Sequence, residues 1–206
     1  MQKKILVAAL AVAGFVSANV QAEEGNFMVR ARAVNLAFDN SNKDGLDKVG
    51  VGKVSAEDLW IPEVDFSYFM TKNLALELVL TYPQQVDIRT SALGKIGHVD
   101  VLPPSLVLQY HFTNLGMFKP YVGVGLNYSI FTKKSFNTAL GKISVDNDSI
   151  GAVAQLGADF MLTKNWSLNV DVKYITMDTK VKLDGAKLGT LDLSPVTAGI
   201  GIGYRF

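Results

Sequence analysis

The chain has 206 residues, a formal net charge of +1, 49% hydrophobic residues and no cysteine. The near balance of charge supplies no drive toward nucleic acid, and the missing cysteines exclude a disulfide framework, thiolate chemistry and a cysteine-ligated metal. Past Ala22 the hydrophobic residues are dispersed, and no run approaches the roughly 18 residues that a membrane-spanning helix needs.

Lys3 and Lys4 precede an apolar run from Ile5 to Val16, and Val20-Gln21-Ala22 follows as a small-residue cleavage pattern. This predicts a secretory signal peptide over residues 1–22, cleaved after Ala22, with residues 23–206 forming one domain.

The first alternating stretch, Phe27 to Phe38, sets Phe27, Val29, Ala31 and Ala33 against Arg30 and Arg32. A period of two marks a strand. A polar connection over residues 39–57 leads to Trp60 through Met70, where Val64, Phe66, Tyr68 and Met70 oppose Glu63, Asp65 and Ser67. The short turn Thr71-Lys72-Asn73 enters a third stretch, in which Leu74, Leu76, Leu78, Leu80 and Tyr82 back Ala75, Glu77, Val79 and Thr81. Pro83 then predicts weakened pairing. After a long connection over residues 84–100, Leu106, Leu108, Tyr110 and Phe112 oppose Ser105, Val107, Gln109 and His111.

A short turn over residues 113–119 leads to Tyr121 through Phe131, which places Val122, Val124, Leu126, Tyr128 and Ile130 opposite Gly123, Gly125 and Asn127. Residues 132–148 read as a third long connection. The sixth stretch sets Ala152, Ala154, Leu156, Ala158, Phe160 and Leu162 against Gly151, Val153, Gln155, Gly157 and Asp159. Thr163-Lys164-Asn165 turns it into the seventh, where Leu168, Val170, Val172 and Tyr174 face away from Asn169, Asp171, Lys173 and Ile175. A last long connection holds Asp184-Gly185, a hairpin pair. In the final stretch Val196, Ala198, Ile200, Ile202, Tyr204 and Phe206 oppose Thr197, Gly199, Gly201, Gly203 and Arg205.

The connections run long, short, long, short, long, short, long. Short turns at one end and long loops at the other, with an even strand count, predict an all-β fold: an eight-stranded antiparallel transmembrane β-barrel of the outer membrane of a Gram-negative bacterium, both termini periplasmic. A soluble eight-stranded barrel would turn the apolar parity inward. Against that, Tyr68, Tyr82, Tyr110, Phe112, Tyr128, Phe160, Tyr174, Tyr204 and Phe206 lie mostly near strand ends on the apolar parity, as girdles at two membrane interfaces require. The glycine series of the last strand is no nucleotide loop, since no helix follows it; glycines in strands more often mark curvature or close packing.

The runs from Leu102 to Phe112, Pro120 to Tyr128 and Gly201 to Phe206 resemble the OmpW family. The likeness extends to Gly151–Asp159, to Asn165-Trp166 with Asn169, and to Thr71–Glu77. The resemblance implies an eight-stranded outer-membrane barrel with a hydrophobic lumenal cavity through which small hydrophobic compounds cross. The partners it implies are outer-membrane lipid, small hydrophobic solutes and, through Tyr204 and Phe206 as the C-terminal assembly signal, the barrel assembly machinery. Family members often carry Trp before the glycine that matches Gly151; this chain has Ile150.

On the inward parity, Arg30, Arg32, Glu63, Asp65, Glu77, Asp159, Asp171 and Lys173 fall in the half nearer the short turns. Small barrels are filled by their side chains, which predicts a charged plug of ion pairs. The next inward positions, Val34, Leu36, Val79, Val107, Val153 and Ile175, predict an apolar pocket open to the outside, with sideways exit into the bilayer because the plug is a poor path for an apolar molecule.

Two other classes are open. An outer-leaflet lipid-modifying enzyme needs a nucleophile, base and orienting group together, yet His98 and His111 are the only histidines and no serine is placed beside His98 by the sequence. No cofactor is expected, and two dispersed histidines make a poor metal site. Alternatively the long connections bind partners, as an adhesin or as a phage or bacteriocin receptor; the alternation of Val86 with Ile88 and of Val181 with Leu183 lets them extend the barrel as hairpins.

Overall fold

A computed structural model describes residues 26–44, 52–136 and 143–206; the expected signal peptide lies outside the described residues. In chain order the strands are β1 (Phe27–Ala37), β2 (Ser41–Lys43), β3 (Val54–Ala56), β4 (Leu59–Phe69), β5 (Leu74–Thr81), β6 (Gln84–Thr90), β7 (Gly94–Leu102), β8 (Ser105–His111), β9 (Phe118–Phe136), β10 (Ile143–Val145), β11 (Asp148–Met161), β12 (Trp166–Ile175), β13 (Asp178–Leu183), β14 (Ala186–Asp192) and β15 (Val196–Arg205).

Eight of them, β1, β4, β5, β8, β9, β11, β12 and β15, pair antiparallel in that order, and β15 pairs back onto β1. Closure leaves no sheet edge, the condition that lipid imposes on a strand-built protein. The alternation decides which face is enclosed. In β1 and β4, Arg30 is opposite Asp65 and Arg32 opposite Glu63, and all four are buried. On the other parity, Leu76, Leu78, Leu106, Leu108, Val122, Val124, Val170 and Ile200 are exposed. A continuous apolar belt of this size on a molecule with a charged interior is stable only against lipid.

Aromatic rings edge the belt. At the short-turn end, ring pairs form between Phe27 and Tyr68, Tyr110 and Phe112, Phe118 and Phe160, and Trp166 and Tyr204. Trp60, Tyr82, Tyr128 and Tyr174 are exposed toward the other end. The two ends of the described chain meet at the short-turn end, where the Phe206 N–H donates to the Phe27 carbonyl at 2.9 Å.

The long connections are more regular than polar loops. Residues 84–100 form most of the β6–β7 hairpin, and β9 continues to Phe136 because β7 pairs beside it, Val101 opposite Phe131. This extended sheet also carries β3 on β6. A second, small sheet has the order β10-β13-β14-β2, and so joins pieces of three connections. Asp184 and Gly185, with φ of 48° and 87°, make the β13–β14 turn, where both central residues need positive φ.

Some barrel glycines are fixed by close approach. A Cβ at Gly125 would lie 2.2 Å from the Leu106 carbonyl oxygen, and one at Gly157 would lie 2.4 Å from the Tyr121 ring. Curvature of the wall and the seat of Tyr121 therefore depend on bare backbone.

Candidate functional site

The lumen is stacked in layers. At the short-turn end Met28, Phe69 and Ala75 pack together, and the Arg205 guanidinium lies over the Phe69 ring, 4.0 Å from its centroid. His111 stacks on Tyr121, with ring centroids 4.8 Å apart.

The next layer joins all eight charged residues expected from parity. Arg30 Nη1 is 2.8 Å from Glu77 Oε2, and its Nη2 is 2.7 Å from Asp159 Oδ2. Arg32 lies 3.0 Å from Glu63, 2.5 Å from Asp65 and 3.3 Å from Asp171. Lys173 Nζ is 2.8 Å from both Glu63 and Asp171. Buried ions require satisfied lone pairs as well as opposite charge, and neutral neighbours supply part of them, to Arg30, Glu77, Asp159 and Asp171, while the Asp65 oxygens have only the charge of Arg32. Gln155 Nε2 donates to Glu77 Oε1 at 3.0 Å and to Asp171 Oδ2 at 2.7 Å; Arg30 Nη1 donates to Ser67 Oγ at 3.0 Å; Asn169 Nδ2 donates to Asp159 Oδ1 at 2.9 Å. Gln109 donates to Gln155 at 2.9 Å, and the Tyr121 hydroxyl donates to Asp171 at 3.3 Å. Sequence reasoning named the charges but not Tyr121, Gln109 and Gln155 as their partners; their shared inward parity was the available signal.

Above the ions, Val79, Val107, Val153 and Ile175 form one buried cluster, and Val34, Leu36 and Ile61 another. All of these except Ile61 are the six expected pocket residues; they face the lumen, packed in two separate clusters. The open space lies one layer further toward the long loops, a cavity of about 130 Å³ that none of the six lines. Its walls come from both loop sheets: Val86 and Ile88 on β6, Val99 and Val101 on β7, Phe131 and Phe136 on β9, Val181 and Leu183 on β13, and Leu188 and Leu191 on β14. Phe38, another lining residue, packs against both the cavity cluster and the Val34–Leu36–Ile61 cluster. Apolar contact therefore runs without a polar break from the loops into the barrel.

Beside this region the wall has a seam. Pairing of β5 with β8 ends at Val79 opposite Ser105 and resumes only at Gln84 opposite Val101, in the β6–β7 hairpin. Pro83, Pro103 and Pro104 fall in the interval, where the missing N–H groups weaken a ladder.

Two residues weighed from sequence lie elsewhere. Ile150 faces outward and is 76% exposed, so it does not line the lumen. His98 on β7 stands opposite Asp87 on one side and Ser135 on the other, an arrangement that strand register creates and the sequence does not display. Asp87 is engaged by Lys95, which leaves its carboxylate committed away from His98.

A closed barrel of eight antiparallel strands, belted with apolar residues and charged inside, is an outer-membrane β-barrel protein. The model of the OmpW family matches residues 23–206, and the chain belongs to that family. It is 34% identical over 214 residues to outer membrane protein W of Escherichia coli, covering 99% of this chain and 100% of that protein. It is 39% identical over 187 residues to the uncharacterised outer-membrane protein y4mB of Sinorhizobium fredii, covering 87% and 80% respectively. Among solved structures, the outer membrane protein OprG of Pseudomonas aeruginosa matches with a TM-score of 0.75 and 29% identity, covering 91% of this chain and 99% of that one.

Proposed function

We propose that the protein is a conduit for small hydrophobic molecules across the outer membrane, with the long loops outside the cell and both termini in the periplasm. A solute enters the cavity between the loop sheets, follows the apolar contacts through Phe38 toward Val34 and Leu36, and leaves through the seam between β5 and β8 into the bilayer. The observation that carries this reading is the apolar cavity standing directly in line with a packed ionic layer. The former holds hydrocarbon, and the latter offers it no path, because an apolar molecule would have to displace paired charges that cannot be resolvated. Sideways exit keeps the solute in apolar surroundings throughout. The role is transport without chemistry, which is supported by the ion pairs that occupy both carboxylates near His98, Asp100 with Lys133 and Asp87 with Lys95.

Photolabelling tests the route. A toluene-sized diazirine probe added to the protein in lipid vesicles is expected to mark Val181 and Leu191 in the cavity and residues 80–83 or 102–104 at the seam. Labelling confined to the outer belt would refute the route.

A further inference from the structure

The cavity wall is hydrocarbon except at Thr179. Thr179 lies on β13, shares the inward parity of Val181 and is 5% exposed. Its Oγ1 has no hydrogen-bond partner, whereas Thr190 on the adjacent strand donates to Asp44 at 2.7 Å. An unpaired buried hydroxyl is costly, and most are satisfied in folded proteins. Valine has the same shape and the same preference for strands without that cost. The hydroxyl is therefore unexplained by the packing of this chain alone.

We infer that the cavity binds a small uncharged hydrophobe carrying one hydroxyl or carbonyl oxygen, and that Thr179 Oγ1 hydrogen-bonds to that oxygen. This rests on the conduit reading above and adds the chemical class of the solute. The volume sets its size: about 130 Å³ is near the roughly 150 Å³ apolar cavity known to hold benzene, so one ring with a short substituent fits. Charge is excluded, because the lining residues hold no ionic partner for a carboxylate or an ammonium and transfer of an unpaired ion into such a site is prohibitive.

The test uses fluorine NMR titrations of the full protein in lipid nanodiscs with two probes of equal heavy-atom count, para-fluorobenzyl alcohol and para-fluoroethylbenzene. The quantity read is the ratio of their affinities, compared between wild type and Thr179→Val, so that differences in water and lipid solubility cancel. The ratio is expected to shift against the alcohol by about tenfold in Thr179→Val, the size of one lost hydrogen bond. Thr179→Ser keeps the wild-type ratio, and Thr179→Ala gives the same shift should the valine variant fail to fold. An equal ratio in wild type and Thr179→Val overturns the role of Thr179 while leaving the conduit standing. Failure of the alcohol alone to bind the wild type likewise overturns the role of Thr179, and failure of both probes removes the conduit reading and this inference together.

Discussion

Arg30 grips Asp159 at two points across the lumen, Nη2 to Oδ2 at 2.7 Å and Nε to Oδ1 at 3.2 Å. Their strands, β1 and β11, are not neighbours in the wall; β15 and β12 stand between them. The same guanidinium holds Glu77 on the other side at 2.8 Å. Arg30 is thus a strut across the barrel, and its removal strands two carboxylates out of water. Arg30→Met is expected to cost about 3–5 kcal/mol, read from urea unfolding in lipid vesicles and from loss of the heat-modifiable band on gels. Lysine in its place restores charge but not the two-point fork, and should recover only part of the loss.

The ionic layer is unbalanced in a way that ranks its mutations. Arg30, Arg32 and Lys173 face five carboxylates, Glu63, Asp65, Glu77, Asp159 and Asp171. Arg32 is within 4 Å of four of them. Arg32→Met is expected to be among the most damaging single changes in the lumen, whereas Asp65→Asn, which removes surplus negative charge at constant shape, should cost much less. Unfolding midpoints that ranked the two in the opposite order would contradict this electrostatic account.

The outer belt makes a separate prediction. Val170, 39% exposed, is paired with Ile200 in the middle of the β12–β15 ladder. Arginine at either position places a charge near the bilayer midplane, at an expected cost of about 2–4 kcal/mol to stability in vesicles. The same substitution on the solvent side of the loop sheets, at Lys180, should leave stability nearly unchanged.

Acid should loosen the small loop sheet before the barrel. Burial tends to raise the Asp192 carboxyl, but hydrogen bonds from Lys43 and Ser194 outweigh it and hold the group below its ordinary range. Asp44 is lowered by hydrogen bonds from Lys187 and Thr190. Asp146 is lowered by Lys182 against opposing desolvation. A depressed carboxyl contributes stability that is complete above its unfolded pKa, about 3.9, and is lost as pH falls through the folded value. Protection of the amides in β2, β10 and β14, relative to their intrinsic exchange rates at each pH, is therefore expected to fall as pH drops below about 4, ahead of protection in the barrel strands. Loosening on the alkaline side instead would reverse the assigned sign.

Strand parity carried much of the architecture before any coordinates. That Arg30, Arg32, Glu63 and Asp65 all face the lumen needs only the alternation of β1 and β4, whereas which of them pair is set by register and barrel closure. The cavity was less legible because its wall is assembled from connections far apart in the chain. Val86, Phe131 and Val181 meet only when two loop sheets stack, and a local period of two says nothing about that stacking. Parity alone accordingly places the pocket at Val34, Leu36, Val79, Val107, Val153 and Ile175, which face the lumen in packed clusters below the opening. Tyr121 was hidden for another reason: its seat is made by the absence of a side chain at Gly157, a relation between β9 and β11 that depends on register.

The central claim is that the loop cavity is the entrance of a hydrophobic route. It is tested most directly by measuring entry of toluene into Gram-negative cells lacking other such barrels, with the wild-type protein and with Val181→Trp, which fills the cavity while leaving the ionic layer intact. The account predicts that the wild type accelerates entry and that the filled variant, at equal surface abundance, returns it to the level of cells without the protein. Equal acceleration by both would contradict it.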